Sequence, residues 1–310
     1  MSGAPPYAVD GADEGPHQPG PEALWNESWY LDLVGEDGLA AYARIGRYPN
    51  LGVTWWTAAF AIPGRRVLRS VALDLPLVQP PAAVVRGTVA DVVCTTVEPL
   101  AAVRLSGTCA ARELADTAAV VDAPGDGVPV SFDLTWRTDG APYGYGITTR
   151  YEIPCLVAGE VTVAGTPLSV RGHGQRDHSW GVRDWWAFGW CWAAGRLEDG
   201  TRVHVADIRI PGHPVAFGYV QQPDGTVAPV TTLAVEDVTG AGPYPAGVRA
   251  VIGPAGPDVT ITAETYGPLV LDAPDGRRSW FPRAVARFET ADGRRGSGWV
   301  EWNLPGAAGA

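Results

Sequence analysis

The chain has no lysine; all 23 of its basic residues are arginine. That absence excludes Schiff-base chemistry, covalent pyridoxal phosphate and a Walker-type phosphate lysine. Glycine-rich phosphate loops are missing too, because "GAGPYPAG" at 240–247 opens no helical pattern. The four cysteines, Cys94, Cys109, Cys155 and Cys191, are widely separated and form no CxxC pair. That spacing gives little support to a zinc site or redox motif, and small buried hydrophobes are the expectation. No apolar run reaches the roughly 18 residues of a membrane span. Breaker-free helical windows are scarce, since 39 glycines and 28 prolines are scattered through 310 residues. Cationic surface is scarce as well. A net charge of −11 argues against nucleic acid or an anionic membrane as partner. The opening "MSGAPPYAVDGADEGPHQPGP" lacks a basic segment followed by an apolar one, so it does not read as a secretory signal. Residues 1–22 are expected to be a disordered leader, and the cytoplasm is the default location.

What remains is a β sequence. Short runs rich in Val, Thr and aromatics alternate with turn dipeptides: "EDG" at 36–38 and 198–200, "PGDG" at 124–127, "PDG" at 223–225 and 274–276, "ADG" at 291–293. Repeated Asp-Gly between alternating segments is a strong hairpin signal. The expected architecture is antiparallel all-β, as a barrel or a sandwich. Only 98–116 competes as a helix, and strands fit it equally well. "WNESWYLDL" near the start and "GWVEWN" near the end echo each other. A boundary near residue 165 divides the chain into halves of 23–165 and 166–310.

Five of the thirteen tryptophans lie in "VRGHGQRDHSWGVRDWWAFGWCW", 170–192. Taken as a strand, 184–197 puts Asp184, Trp186, Phe188, Trp190 and Trp192 on one face and small residues on the other. A two-residue turn at Asp199-Gly200 sets Trp192 opposite Asp207 and Trp190 opposite Arg209, adding an acid and a guanidinium to the aromatic face. Such a surface suits either a barrel core with rim charges or a ligand cavity walled by aromatics. In the preceding loop, His173, Asp177 and His178 are spaced poorly for a metal, because neighbours in an extended chain point to opposite faces. No metal and no cofactor are expected. Asp177 or His178 fits better as a general acid or base. At the N-terminal end Trp25, Glu27 and Trp29 share a face. A glutamate between two indoles, if dry, has its pKa raised and can donate a proton near neutrality, unless it is a rim carboxylate bonded to arginine or backbone. Glu301, between Trp299 and Asn303, is a second carboxylate of that kind.

"RDHSWGVRDW", with "WNESWYLD" and "RIGRYPNLGVTWWT", resembles the D-x-x-W-G-type pattern of the AttH-like and carotenoid 1,2-hydratase (hydroxyneurosporene synthase) families. It is most similar to an actinobacterial branch of that superfamily. The resemblance spans roughly residues 24–303. It implies two lipocalin-like β-barrel halves packed together around a hydrophobic cavity, and relatives that hydrate or cyclise polyenes, terpenoids or polyketide-derived chains. Asp177, His178 and Trp180 fall on the motif, whereas Ser179 and the following "VRDWW" depart from it.

The expectation is therefore an enzyme acting on an isoprenoid- or polyketide-like molecule by acid-catalysed hydration, cyclisation or isomerisation of an alkene. Asp177, helped by His178, is the expected donor, with Glu27 and Asp184 as rivals. Trp25, Trp29, Trp180, Trp186, Phe188, Trp190, Trp192, Asp207, Arg209 and Glu301 are the expected substrate-binding residues. Aromatic faces would stabilise a carbocation by about 0.5–2 kcal/mol per ring. Two alternatives stay open: a non-catalytic carrier of a lipophilic metabolite, and a carbohydrate-active β-sandwich using its tryptophans and carboxylates. The oligomeric state is not legible.

Overall fold

The computed structural model describes residues 8–230, 232–253, 256–273 and 275–306. They form antiparallel β-structure with two short 3-10 turns and no α-helix among them. Two compact units emerge. Among the described residues, one holds 8–114 and 122–183, the other 115–121 and the residues from 184 to 306. The division thus falls after Arg183 rather than near 165. The reason is pairing: strand Thr166–Val182 lies between Arg150–Val163 and Trp25–Gly35 and belongs to the first unit.

In the first unit eight strands close a ring. Trp25–Gly35, Ala40–Tyr48, Val53–Ala61 and Leu68–Pro76 follow one another, and Ala102–Asp116, Val128–Thr138, Arg150–Val163 and Thr166–Val182 return to the first. The seam is short, with Leu68 opposite Glu113 and Arg69 opposite Arg112. Closure removes the exposed edges that an open sheet would leave. Period-two alternation sends Trp29, Leu31, Leu33, Ile45, Trp56, Phe60, Phe132, Leu134 and Trp136 inward as a continuous core. A cavity of about 10 Å³ among Leu31, Leu33, Phe60, Leu105 and their neighbours has room for one water at most.

The second unit is built on nine sheet strands running from Val227–Pro229 through Gly189–Leu197 and Arg295–Pro305 to Thr232–Val238, with the ribbon Leu269–Asp272 and Arg278–Phe281 attached to Arg295–Pro305. Its core cluster includes Cys191, Ala193, Val203, Val205, Phe288, Val300 and Trp302.

Five of the six expected Asp-Gly sites form hairpin turns; Asp126-Gly127 does not and lies in irregular chain before Val128–Thr138. Gly38, Gly200, Gly225, Gly276 and Gly293 all adopt left-handed φ. At Asp37, Asp199, Asp224 and Asp275 the carboxylate accepts the backbone N–H two residues on. The 98–116 segment is strand, paired with Ala90–Glu98 and Val128–Thr138. Cys109, Cys155 and Cys191 are buried free thiols, and Cys94 is half-buried. No helix among the described residues is long and apolar enough to cross a membrane.

Two further expectations fail here. The leader is not disordered over its described part. Asp10 caps a 3-10 turn at Gly11–Glu14, and buried Glu14 pairs with buried Arg176 at 2.8 Å. The strand register after 198–200 is also displaced. The Leu197 N–H donates to the Thr201 carbonyl and the Gly200 N–H to that of Leu197, a three-residue loop in place of the expected two. The extra residue moves the register by one position, setting Asp207 opposite Cys191 and Arg209 opposite Gly189.

Candidate functional site

The first unit places ionisable side chains on both faces of one stretch of sheet. On the barrel-interior face, pairing sets Trp29 beside His178, Glu27 beside Trp180, and Tyr151 across from His178 on the other side. His178 Nε2 lies 3.1 Å from Glu27 Oε1, and His178 Nδ1 lies 3.4 Å from the Tyr151 hydroxyl. The leader supplies the third member: His17 Nδ1 lies 2.8 Å from the same Glu27 oxygen, and the His17 backbone N–H donates to it at 2.8 Å. Arg47 Nη1 stands 3.6 Å from Glu27 Oε2. Trp180 stacks on His17 at 3.6 Å between ring centroids, and Trp29 stacks on His178 at 4.6 Å.

This arrangement overturns the expectation of a protonated Glu27. Burial pushes its pKa up, but hydrogen bonds from His17 and His178, the charge of His178 and the His17 backbone N–H outweigh that, and the net shift is downward. Glu27 is an anchored carboxylate rather than a proton donor.

The opposite face carries Asp177. The single-residue step from His178 turns its side chain the other way, so the expected pairing of Asp177 with His178 does not form. Asp177 is flanked instead by Tyr30 and Glu152 on the adjacent strands. Arg150 Nη2 donates to Asp177 Oδ2 at 2.9 Å and also pairs with Glu152. Glu152 further accepts from the Tyr145 hydroxyl at 3.0 Å and from Gln175 Nε2 at 2.8 Å. Burial pushes the Asp177 pKa up, Arg150 opposes this, and the charge of Glu152 adds to it; the net shift is upward. Arg183 is held down to about 10 by burial and by the like charge of Arg150 and Arg44. Aromatic residues share this face. Tyr143 is register partner of Glu152, Tyr42 and Tyr30 have centroids 6.3 Å apart, and Tyr48 packs on Trp55 at 4.2 Å. Tyrosines, not the expected Trp29 and Trp180, therefore share a face with Asp177. Trp25, on the Glu27 face, is buried with Cδ1 3.2 Å from the point where a Cβ on Gly20 would stand.

In the second unit the expected residues separate. Residues 185–187 are a turn and the strand begins at Gly189. Asp184 accepts from the Trp186 backbone N–H and pairs with half-exposed Arg277 at 2.9 Å, so it is a solvated ion-paired carboxylate and no desolvated acid. Trp186 is buried with its indole N–H on the Leu271 carbonyl at 2.9 Å. The Phe188 carbonyl accepts from Asn303. Trp190 and Trp192 do share a face with Trp299, Glu301 and Asn303, and the Trp190 indole donates to Glu301 at 2.9 Å while Arg283 pairs with that carboxylate. This is the face opposite the apolar cluster of Cys191 and Ala193, so the rings do not fill the unit's own core. Asp207 and Arg209 lie on the other face. Arg209 binds Asp207 at 2.9 Å and Asp237 bidentately at 2.7 and 2.8 Å, and Trp302 donates to Asp237. They are structural polar groups of a strand, not partners of Trp190 and Trp192.

Sequence reasoning missed His17, Arg47, Tyr151, Arg150 and Glu152. Alternation in "RYEIP" at 150–154 separates Arg150 and Glu152 from Tyr151, but nothing local marks which strand lies alongside. His17 sits in a Pro/Gly-rich stretch with no periodicity to read.

The closed eight-strand barrel followed by a second antiparallel unit defines an AttH-like fold. Over 94% of both chains it is similar to the crystal structure of an AttH candidate from Nitrosomonas europaea, with a TM-score of 0.63 at 18% identity. It is also similar to kievitone hydratase from Nectria haematococca, with TM-score 0.64 and 13% identity over 96% of this chain and 93% of that one. CghA, solved with Sch210972, matches with TM-score 0.59 and 14% identity over 98% and 94%. By sequence, the chain belongs to the DUF7064 family, described as a domain of unknown function, whose family model matches residues 10–305. No curated protein matches the sequence significantly.

Proposed function

We propose that the protein is an enzyme that uses Asp177 to protonate an alkene or enol-type carbon of a small hydrophobic molecule, leading to hydration, cyclisation or isomerisation. The observation that carries this reading is the Asp177 carboxyl itself. One oxygen is anchored on Arg150, and the side chain is buried on the same sheet face as its register partner Tyr30. A carboxylic acid so placed is a candidate donor, and the neighbouring tyrosine faces suit a developing cation at about 0.5–2 kcal/mol per ring. Glu152, saturated by Tyr145, Gln175 and Arg150, holds Arg150 in place and is a positioning residue. The shared fold with a hydratase supports the reaction class without specifying the substrate.

Native mass spectrometry of freshly purified protein, followed by turnover assays on the retained lipophilic compound and on polyene and polyketide-type alkenes, tests the proposal. Asp177→Asn is expected to lower kcat by about 10²–10⁴-fold with the fold unchanged by circular dichroism. Undiminished turnover in that variant would reject the assignment. Retained ligand with no turnover by either protein would favour a carrier instead.

A further inference from the structure

We propose that His17, Glu27 and His178 form a binding site for a divalent transition-metal ion, with zinc the best match to the donor set. This site stands apart from the Asp177 chemistry, on the other face of the strand. Two imidazoles and one carboxylate are a known zinc ligand set that leaves a fourth position for water or another donor. Here the three ligand atoms, His17 Nδ1, Glu27 Oε1 and His178 Nε2, lie within 4.8 Å of one another.

The distances tell how the site would load. The two nitrogens stand 2.8 and 3.1 Å from Glu27 Oε1, which is hydrogen-bond spacing. Ligands at about 2.0–2.1 Å around a tetrahedral zinc are roughly 3.3 Å apart. Opening the two contacts to Glu27 by about half an ångström or less reaches that spacing, and the two nitrogens, which lie within 4.8 Å of each other, close to it in the same movement. Among the described residues Glu27 Oε2 makes no hydrogen bond, and Arg47 stands 3.6 Å from it, while both imidazoles approach Oε1, the metal-facing oxygen.

The surroundings fit as well as the donors. A ligating histidine usually directs its second ring nitrogen at a carboxylate or other acceptor, which sets the tautomer and ring orientation. His178 turns Nδ1 toward the Tyr151 hydroxyl at 3.4 Å, and His17 turns Nε2 toward Asp13 Oδ1 at 3.8 Å. Both rings are clamped by indoles, His17 against Trp180 with 9° between planes and His178 against Trp29 with 23°. Rings already oriented lose little freedom on binding. The ion would also tie the leader to the barrel, because His17 comes from the segment that otherwise holds on through Glu14 and Arg176.

The test uses the full chain, stripped with a chelator and titrated with Zn²⁺ by calorimetry, with Co²⁺ as a spectroscopic probe. A single zinc per chain is expected, together with the visible d–d bands of tetrahedral Co²⁺. Zn²⁺ should raise Tm in the parent protein. His17→Ala removes a leader residue without leaving Glu27 unpaired, so it should fold; it is expected to lose both zinc uptake and the Co²⁺ bands. Glu27→Gln should weaken uptake while keeping the shape of the site. Absence of zinc uptake by the parent protein overturns the proposal, and so does uptake unchanged in both variants, which would place the ion elsewhere.

Discussion

Glu14 and Arg176 illustrate how single residues carry weight in this barrel. Both are about 5% exposed at the side chain, and Arg176 Nη1 meets Glu14 Oε1 at 2.8 Å. Taking two charges out of water is costly, and their mutual attraction only offsets the cost while both are present. Arg176→Met leaves Glu14 buried without its cation and is expected to destabilise the protein by about 3–5 kcal/mol in urea denaturation. Adding Glu14→Gln should recover most of that loss. A double variant no more stable than the single one would show that the pair is not the source of the effect. Glu27 obeys the same physics with a different outcome. Its carboxylate draws donors from three segments, so burial alone does not decide its protonation. Glutamate between two tryptophans was visible in "WNESW", but the imidazoles that reverse the sign of the shift come from positions 10 residues earlier and 151 residues later.

At the scale of elements, faces and turns set what each residue can do. Period-two alternation correctly groups Trp25, Glu27, Trp29 and Leu31, and it also separates Asp177 from His178. The turn at 198–200 shows where such reading stops. Asp-Gly marks a hairpin in either of two loop lengths, and one residue more turns every later side chain to the other face. Close packing between strands adds a second constraint. A Cβ on Gly195 would stand 2.7–2.9 Å from the ring of fully buried Phe288. Gly195→Ala is expected to destabilise the second unit by about 1–3 kcal/mol, because the ring has no space to retreat into. Chemical denaturation followed by tryptophan fluorescence checks it, and an unchanged midpoint would mean that the sheet yields more readily than its packing suggests.

For the molecule as a whole, one strand serves two chemistries. Asp177 and His178 are consecutive, yet one faces a tyrosine-rich polar surface and the other the barrel interior. The two proposals are therefore separable by experiment. Asp177→Asn should suppress turnover while zinc uptake stays within about twofold of the parent protein, since no proposed ligand is altered. Loss of both properties together would mean that the faces are coupled through the strand.

Composition and local pattern were enough for the all-β class, most of the Asp-Gly turns, the burial of Cys109, Cys155 and Cys191, and the exclusion of lysine chemistry. Each of these depends on residues that are neighbours in the chain. Which strands lie side by side, which face of each turns inward, and which donors reach Glu27 and Asp177 were settled only by closing the barrel. Alternation is symmetric under exchange of inside and outside, and contacts such as Trp29 with His178 arise from pairing across more than a hundred residues, where local preference carries no information.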